Sequence, residues 1–221
     1  MRGAEIRAVV FDMDGVILDS EQVWDEVRAQ LTRERGGRWH GRAQRDMMGM
    51  SSLEWPRYMH EELAVPDTPD EINRETVRRV QENYSSELPL LPGASEAVAR
   101  IAEQWPLGLA SSSNREVIDL VLDRSGLAAL FATTVSSEEV SRGKPAPDVY
   151  LQACGRLGVE PASAAAVEDS HNGLRSANAA GMRVVAIPNE HYPPAPDALQ
   201  LADVVVDRIA DLTPAAIEPP D

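Results

Sequence analysis

Positive charge is scarce in this 221-residue chain: 21 basic residues face 36 acidic ones, a formal charge of −15. Lysine is all but missing, because Lys144 is the single one and the other basic residues are arginines. A field of that sign repels polyanions, which excludes nucleic acid and anionic membrane surfaces as partners. An anionic substrate must therefore meet a concentrated local positive site. Cysteine is equally rare, and Cys154 alone permits no intrachain disulfide, zinc knot or thiol pair. Its place in "YLQACGRLG" suits a helix core, since nothing near it in sequence would polarise a reactive thiol. The four histidines, His40, His60, His171 and His191, lack metal-ligand spacing and are expected on the surface or in loops. Long hydrophobic runs are absent too. The first, Ala8 to Phe11, is far too short for a signal peptide or a membrane span, so a cytoplasmic protein is expected.

What is present is ordinary globular composition, 43% hydrophobic and 26% charged, with enough length for one large domain or one carrying a smaller insertion. "IRAVVFD" (6–12) is a short apolar, β-branched run that stops at two aspartates and a glycine, which predicts a buried strand and a loop. From Ser20 to about Glu87 the chain is rich in Arg, Glu and Gln, and Val23, Val27 and Leu31 recur at helical spacing. "LPLLPGASE" (88–96) supplies linker punctuation. Strands are then predicted at 107–111, 133–137, 164–169, 183–187 and 203–206, alternating with helices at 114–125, 147–157 and 171–180. Such alternation implies right-handed crossovers and a parallel sheet covered on both faces. The proline-rich stretch 188–198 reads as a loop, and "EPPD" (218–221) as a frayed end.

In a sheet of this kind ligands bind beyond the carboxyl ends of the strands. The polar residues expected there are Asp12 with Asp14, Ser111, and Glu168 with Asp169, while Lys144 lies in the loop after the strand at 133–137. Carboxylates gathered on one rim repel one another unless a hard cation is bound, and Mg²⁺ with oxygen ligands is the natural one. Each signal has a plainer reading as well. D-x-D-G is a common turn sequence, Asp169 and Ser170 suit helix caps, and Ser113 with Glu116 has capping-box spacing.

The four segments taken together resemble the haloacid-dehalogenase-like phosphohydrolases, in the branch that includes β-phosphoglucomutase and small sugar-phosphate phosphatases. "VVFDMDGVILDSE" is similar to the first motif of that family, "LASSSN" to the second, "GKPAPDVY" to the third and "VEDSHNG" to the fourth. The resemblance covers nearly the whole chain. It implies an α/β fold, a Rossmann-like parallel sheet core (1–19 and 89–221) with an inserted α-helical cap (20–88). It also implies Asp12 as nucleophile, Asp14 as general acid and base, Ser111 as phosphate ligand and Lys144 as charge neutraliser. Mg²⁺ would be held by Asp12, Asp169 and the Asp14 backbone carbonyl, with Glu168 a second ligand or its support. Backbone N–H groups near Ser112 and Ser113 would hold phosphoryl oxygens at a helix start. A lysine suits this place because a point charge on a four-carbon stem reaches both a carboxylate and a phosphate oxygen in a crowded site, where a guanidinium fork competes for the metal's space.

The expected substrate is a small phosphorylated metabolite, a sugar or polyol phosphate, handled by a monomer. Trp24 and Met50 suit either the core of the cap or its substrate side, and "GMSSLEW" (49–55) is similar to the family's substrate-reading turn, with Gly49 and Ser51 equally suited to a helix start. Where β-phosphoglucomutases carry a histidine after the first motif and an arginine in that turn, this chain has Trp24 and Ser52, which points to a phosphatase rather than a mutase. The pair Asp12 and Asp14 disfavours the family's dehalogenases and phosphonatases and a catalytically silent phosphate-binding protein. A response-regulator receiver also clusters aspartates with a lysine, but leaves the long helical stretch after the first strand unexplained.

Overall fold

The computed structural model describes residues 5–48, 50–189 and 191–218; the expectations for Gly49 and for the last three residues of the chain lie outside them. Six strands form one all-parallel sheet: β1 (Ala8–Phe11), β2 (Leu107–Ser111), β3 (Phe131–Ser136), β4 (Ala164–Glu168), β5 (Arg183–Ala186) and β6 (Val204–Val205). The spatial order β3-β2-β1-β4-β5-β6 puts the first strand at the centre, a Rossmann-like arrangement. Alternate residues of each central strand enter different cores, as the twofold pleat requires. Val9, Phe11, Ala165, Val167 and Val185 pack on one face; Val10, Ala164, Ala166, Val184 and Ala186 pack on the other. Helices α5 (Ala94–Ala102) and α6 (Arg115–Ser125) cover the first face through Val98, Ile101, Val117 and Ile118. The second is covered by α7 (Asp148–Leu157) and α8 (His171–Ala179), and Cys154 is buried there as expected.

Between β1 and α5 everything regular is helical: α1 (Glu21–Glu34), α2 (Ala43–Met47), α3 (Glu54–Glu61) and α4 (Pro69–Ser86). Helix α4 shows why. Thr68 and Glu71 form a reciprocal capping box, Pro69 occupies the first turn, and Ile72, Thr76, Val77, Val80 and Tyr84 fall on one buried stripe. The apolar residues of these helices join the core on the β1 side, so Trp24, Leu31, Met59 and Tyr84 share one cluster with Phe11 and Leu109. Two chain passages connect them to the sheet, and they pair with each other: Asp19 N–H donates to Pro89 O (2.8 Å) and Leu91 N–H to Ile17 O (2.9 Å). No helix among the described residues is long and apolar enough to cross a membrane.

Four local expectations need correction, the first being the stretch 188–198, expected as a loop, which turns helical at Pro196–Leu199. Strand β3 begins at Phe131 rather than Thr133, because a 3₁₀ turn at Ala128–Leu130 delivers the chain straight into pairing with β2. Strand β6 keeps only two residues of the expected four. Ser113 and Glu116 form no capping box: the cap position of α6 is Asn114, with no side-chain cap bond. Glu138 does that work from a distant loop, accepting from Arg115 N–H and Asn114 Nδ2, both at 2.8 Å.

Candidate active site

The carboxyl ends of β1, β2 and β4 bring Asp12, Asp14, Ser111, Glu168 and Asp169 together with Lys144. Asp12 continues β1, its N–H donating to Val167 O of the neighbouring strand (2.9 Å), which aims its side chain over the rim. Lys144 is 3% exposed. Its Nζ lies 2.9 Å from Asp12 Oδ1 and 2.6 Å from Glu168 Oε1, and 5.0 Å above the Tyr150 ring. Burial alone would lower the lysine's pKa, but the charges of Asp12 and Glu168 outweigh that and hold it above its ordinary value.

The fully buried Glu168 is saturated. Oε1 accepts from Lys144 and from Tyr150 Oη (2.7 Å), while Oε2 accepts from Asp169 N–H, Ser170 N–H and Ser170 Oγ. Helix α8 starts so close that a Cβ on Gly173 would sit 1.9 Å from that carboxyl.

Asp169 is the opposite case. It is 1% exposed, and neither carboxylate oxygen has a hydrogen-bond partner; Asp14 Oδ1 is likewise buried and unpartnered. Gly15, at φ +79°, presses its backbone against that carboxylate, and a Cβ there would fall 1.9 Å from Asp169 Oδ2. Burial pushes the Asp12 carboxyl up to about 8, against the pull of Lys144 and with the help of Glu168 and Asp14. Burial, then Glu168, Asp12 and Glu21, hold Asp169 well above the usual carboxylate range. One oxygen each from Asp12, Glu168 and Asp169 lies within 4.8 Å of the others. A crowded all-oxygen set with orphaned buried acceptors lacks positive charge, and a hard divalent cation fits it.

On the β2 side, Ser111 Oγ (3.3 Å) and Ser113 Oγ (2.7 Å) both donate to Asp14 Oδ2. Ser113 N–H is taken by Ser111 Oγ at 3.0 Å, and Ser112 and Ser113 line the cleft above. That cleft encloses about 560 Å³, part of it open to solvent, between the strand ends and the helical segment. Trp24 packs edge-on to Trp55 in the core, centroids 5.9 Å apart, and also lines the cleft. Met50 also lines it. Ser52 does not. Its side chain is buried with the hydroxyl unpartnered and is not part of the cleft lining. None of the four histidines belongs to a metal-binding group among the described residues.

The sequence reading missed Glu21, Arg28, Met47, Met48 and Trp55 in the lining, and Gln44 and Tyr150 behind it. A signal existed for two of them. Glu21 and Arg28 fall in phase with Trp24, Val27 and Leu31 on α1, and charge on a buried stripe is the exception that marks a site. Burial lowers the Arg28 guanidinium to about 10 against the pull of Glu21 and Asp14, so it stays charged at neutral pH. Burial and Asp14 raise the Glu21 carboxyl to about 7, partly opposed by Arg28.

Known proteins share this architecture. The chain is 34% identical to hexitol phosphatase B of Escherichia coli (strain K12) over 220 residues, 95% of each chain. It is 32% identical to the probable pseudouridine-5'-phosphatase of Drosophila melanogaster, over 93% of this chain and 90% of that one. A solved structure of mutant CbbY from Rhodobacter sphaeroides, in complex with xylulose-(1,5)bisphosphate, matches 97% of this chain and 100% of that one with a TM-score of 0.84; at 24% identity that likeness is one of fold. The family pattern for haloacid dehalogenase-like hydrolases runs over residues 6–181, from the first strand through the helix after Asp169. Sheet order, rim carboxylates and sequence thus agree, and the chain belongs to the haloacid dehalogenase-like hydrolase family.

Proposed function

We propose that this chain is a Mg²⁺-dependent phosphatase that hydrolyses a small phosphorylated metabolite, a sugar or polyol phosphate, through an aspartyl phosphate on Asp12. As a hydrolase of this family whose relatives are named phosphatases, it is a phosphoric monoester hydrolase. The observation that carries the finer reading is the contrast between two adjacent buried carboxylates. Glu168 is fully bonded, whereas Asp169 keeps both oxygens free beside Asp12 and the cleft.

In this reading Asp12 and Asp169, with the Asp14 backbone carbonyl, would hold the cation, which would offset the repulsion between carboxylate and phosphate. Asp12 attacks phosphorus; the Asp12–phosphorus bond forms as the bond to the leaving oxygen breaks. Asp14 in its acid form gives that oxygen its proton. A water molecule then adds to phosphorus while Asp14 takes its proton back, and the Asp12–phosphorus bond breaks to release inorganic phosphate. Ser111 and Ser113 orient Asp14 through their hydroxyls. Lys144 offsets the charge of Asp12 and of the incoming phosphoryl group, and Glu168 with Tyr150 fixes Lys144 in place. The helical segment 20–88 acts as a cap that encloses the leaving group and excludes bulk water.

The test is phosphate release from a panel of phosphorylated metabolites with Mg²⁺, with excess chelator, and with the Asp12→Asn variant. Turnover is expected only with metal and only with Asp12. Undiminished release from metal-stripped protein or from the Asn variant would overturn the assignment. Rapid conversion of β-glucose 1-phosphate to glucose 6-phosphate with little free phosphate would make the chain a mutase instead.

A further inference from the structure

Helix α1 places a guanidinium in the cleft wall without giving it an ion pair. Arg28 is 7% exposed. Its Cζ lies 4.7 Å from the ring centroids of both Trp24 and Trp55, and Nη1 reaches Gln44 Oε1 at a long 3.4 Å. Nε has no hydrogen bond at all. A buried guanidinium left this incomplete is costly for the fold alone, because Nε has lost water without finding a partner. Gln44 connects it to a carboxylate. The same amide that faces Arg28 through its oxygen donates Nε2–H to Glu21 Oε2 at 2.6 Å and approaches Glu21 O at 3.3 Å. The Gln44 bond falls on Oε2 of Glu21, and Glu21 and Arg28 both line the cleft that holds Asp12 and Asp14.

The pair therefore presents an acceptor and a set of donors, held at a fixed spacing by one amide. A hydroxyl satisfies both at once, since it donates and accepts. A second anion would not. The cleft lining carries four carboxylates, Asp12, Asp14, Glu21 and Asp169, against two cations, Arg28 and Lys144. A divalent cation and the reacting phosphate together change that balance little. A further negative group near Arg28 would also sit near Glu21 with nothing left to offset it.

Building on the phosphatase reading, we propose that Glu21 and Arg28, joined through Gln44, form the subsite that reads the leaving group and select a neutral polyhydroxyl chain over one bearing a second anion. Gln44 is a positioning residue here, while Glu21 and Arg28 contact the substrate.

Two esters isolate the property: glucitol 6-phosphate and 6-phosphogluconate share chain length and phosphate position and differ in a hydroxymethyl or carboxylate at the far end. Steady-state kinetics with Mg²⁺ should show wild-type kcat/KM favouring the neutral ester by about tenfold or more. Glu21→Gln, which keeps shape and the Gln44 contact, should narrow that preference about fivefold, mostly through KM. Arg28→Lys keeps charge but loses the fork, and should lower kcat/KM for the neutral ester about tenfold. Thermal melting confirms that each variant is folded; should Arg28→Lys fail to fold, Glu21→Gln alone decides. A preference unchanged by Glu21→Gln, or equal losses on both esters, would overturn the proposal. If wild-type protein cleaves p-nitrophenyl phosphate but shows no preference between the two sugar esters, the subsite assignment fails and the phosphatase reading stands. Release from none of the three refutes both.

Discussion

Replacing Gly15 with alanine tests the proposed metal-holding role of Asp169 with one added carbon. That carbon would lie 1.9 Å from Asp169 Oδ2 and 2.4 Å from its Cγ, whereas ordinary contact begins at 3.4 Å. Something must yield by about 1.5 Å, and the free carboxylate of Asp169 is less firmly held than the backbone, being without a hydrogen bond. Alanine at φ +79° also pays about 1–2 kcal/mol for the left-handed backbone. The two effects separate by comparison with Gly126, which has φ +72° and nothing within 4 Å of its added carbon. Gly126→Ala should lose only the backbone term and keep full activity. Gly15→Ala should lose about as much stability or slightly more, yet, if Asp169 holds the cation as proposed, lower kcat/KM about 10²-fold or further, because a displacement of about 1 Å in such a group suffices for that. The assay is phosphate release as a function of Mg²⁺ concentration, alongside thermal melting of both variants. The Gly15 variant should need more Mg²⁺ for half-maximal rate. Wild-type kinetics in Gly15→Ala would refute the view that Asp169 must stand where it does.

Two further outcomes follow from the same structure. Lys144→Arg keeps the charge but puts a larger planar group between Asp12 and Glu168, where the lysine is already enclosed, so phosphate release should fall about 10²-fold; a wild-type rate would make Lys144 a replaceable charge. Burial alone would raise Glu139, but the Ser136 N–H and the Arg115 and Arg156 guanidinium groups hold it down to about 2. A carboxyl depressed in this way stabilises the fold above its unfolded pKa near 4.5 and loses that contribution as pH falls toward 2. Glu139→Gln should therefore melt below wild type at pH 7, by about 1 kcal/mol after discounting for solvent screening, and match it near pH 2; a gap of constant size would contradict the linkage.

Much of the sheet is legible in the sequence because a strand covered on both faces must be apolar along its length, and "AVVF", "LGLAS" and "AAAVE" are. The rim carboxylates are legible because they interrupt those runs at their ends. What local pattern cannot show is who answers a polar group from far along the chain. Glu138 caps α6 from a loop beyond β3, and Gln44 on α2 settles how Glu21 and Arg28 on α1 face the cleft. Ser52 is buried beside Ser51, whose N–H and hydroxyl are both taken by Glu54, and spacing alone does not tell a buried serine from one that lines the cleft.

The chain between Asp12 and the paired linkers is short and drawn tight. Ile17 N–H and Leu18 N–H both donate to Met13 O, Gly15 N–H donates to Leu18 O, and Leu18 bridges on to Leu90. Mechanically this is a crank without slack. The Asp14–Leu18 knot is the first structured element the chain meets between β1 and the first linker, with no free loop between them. Asp14 therefore lies inside the knot that joins the sheet to the helical segment, and its backbone is tied to both.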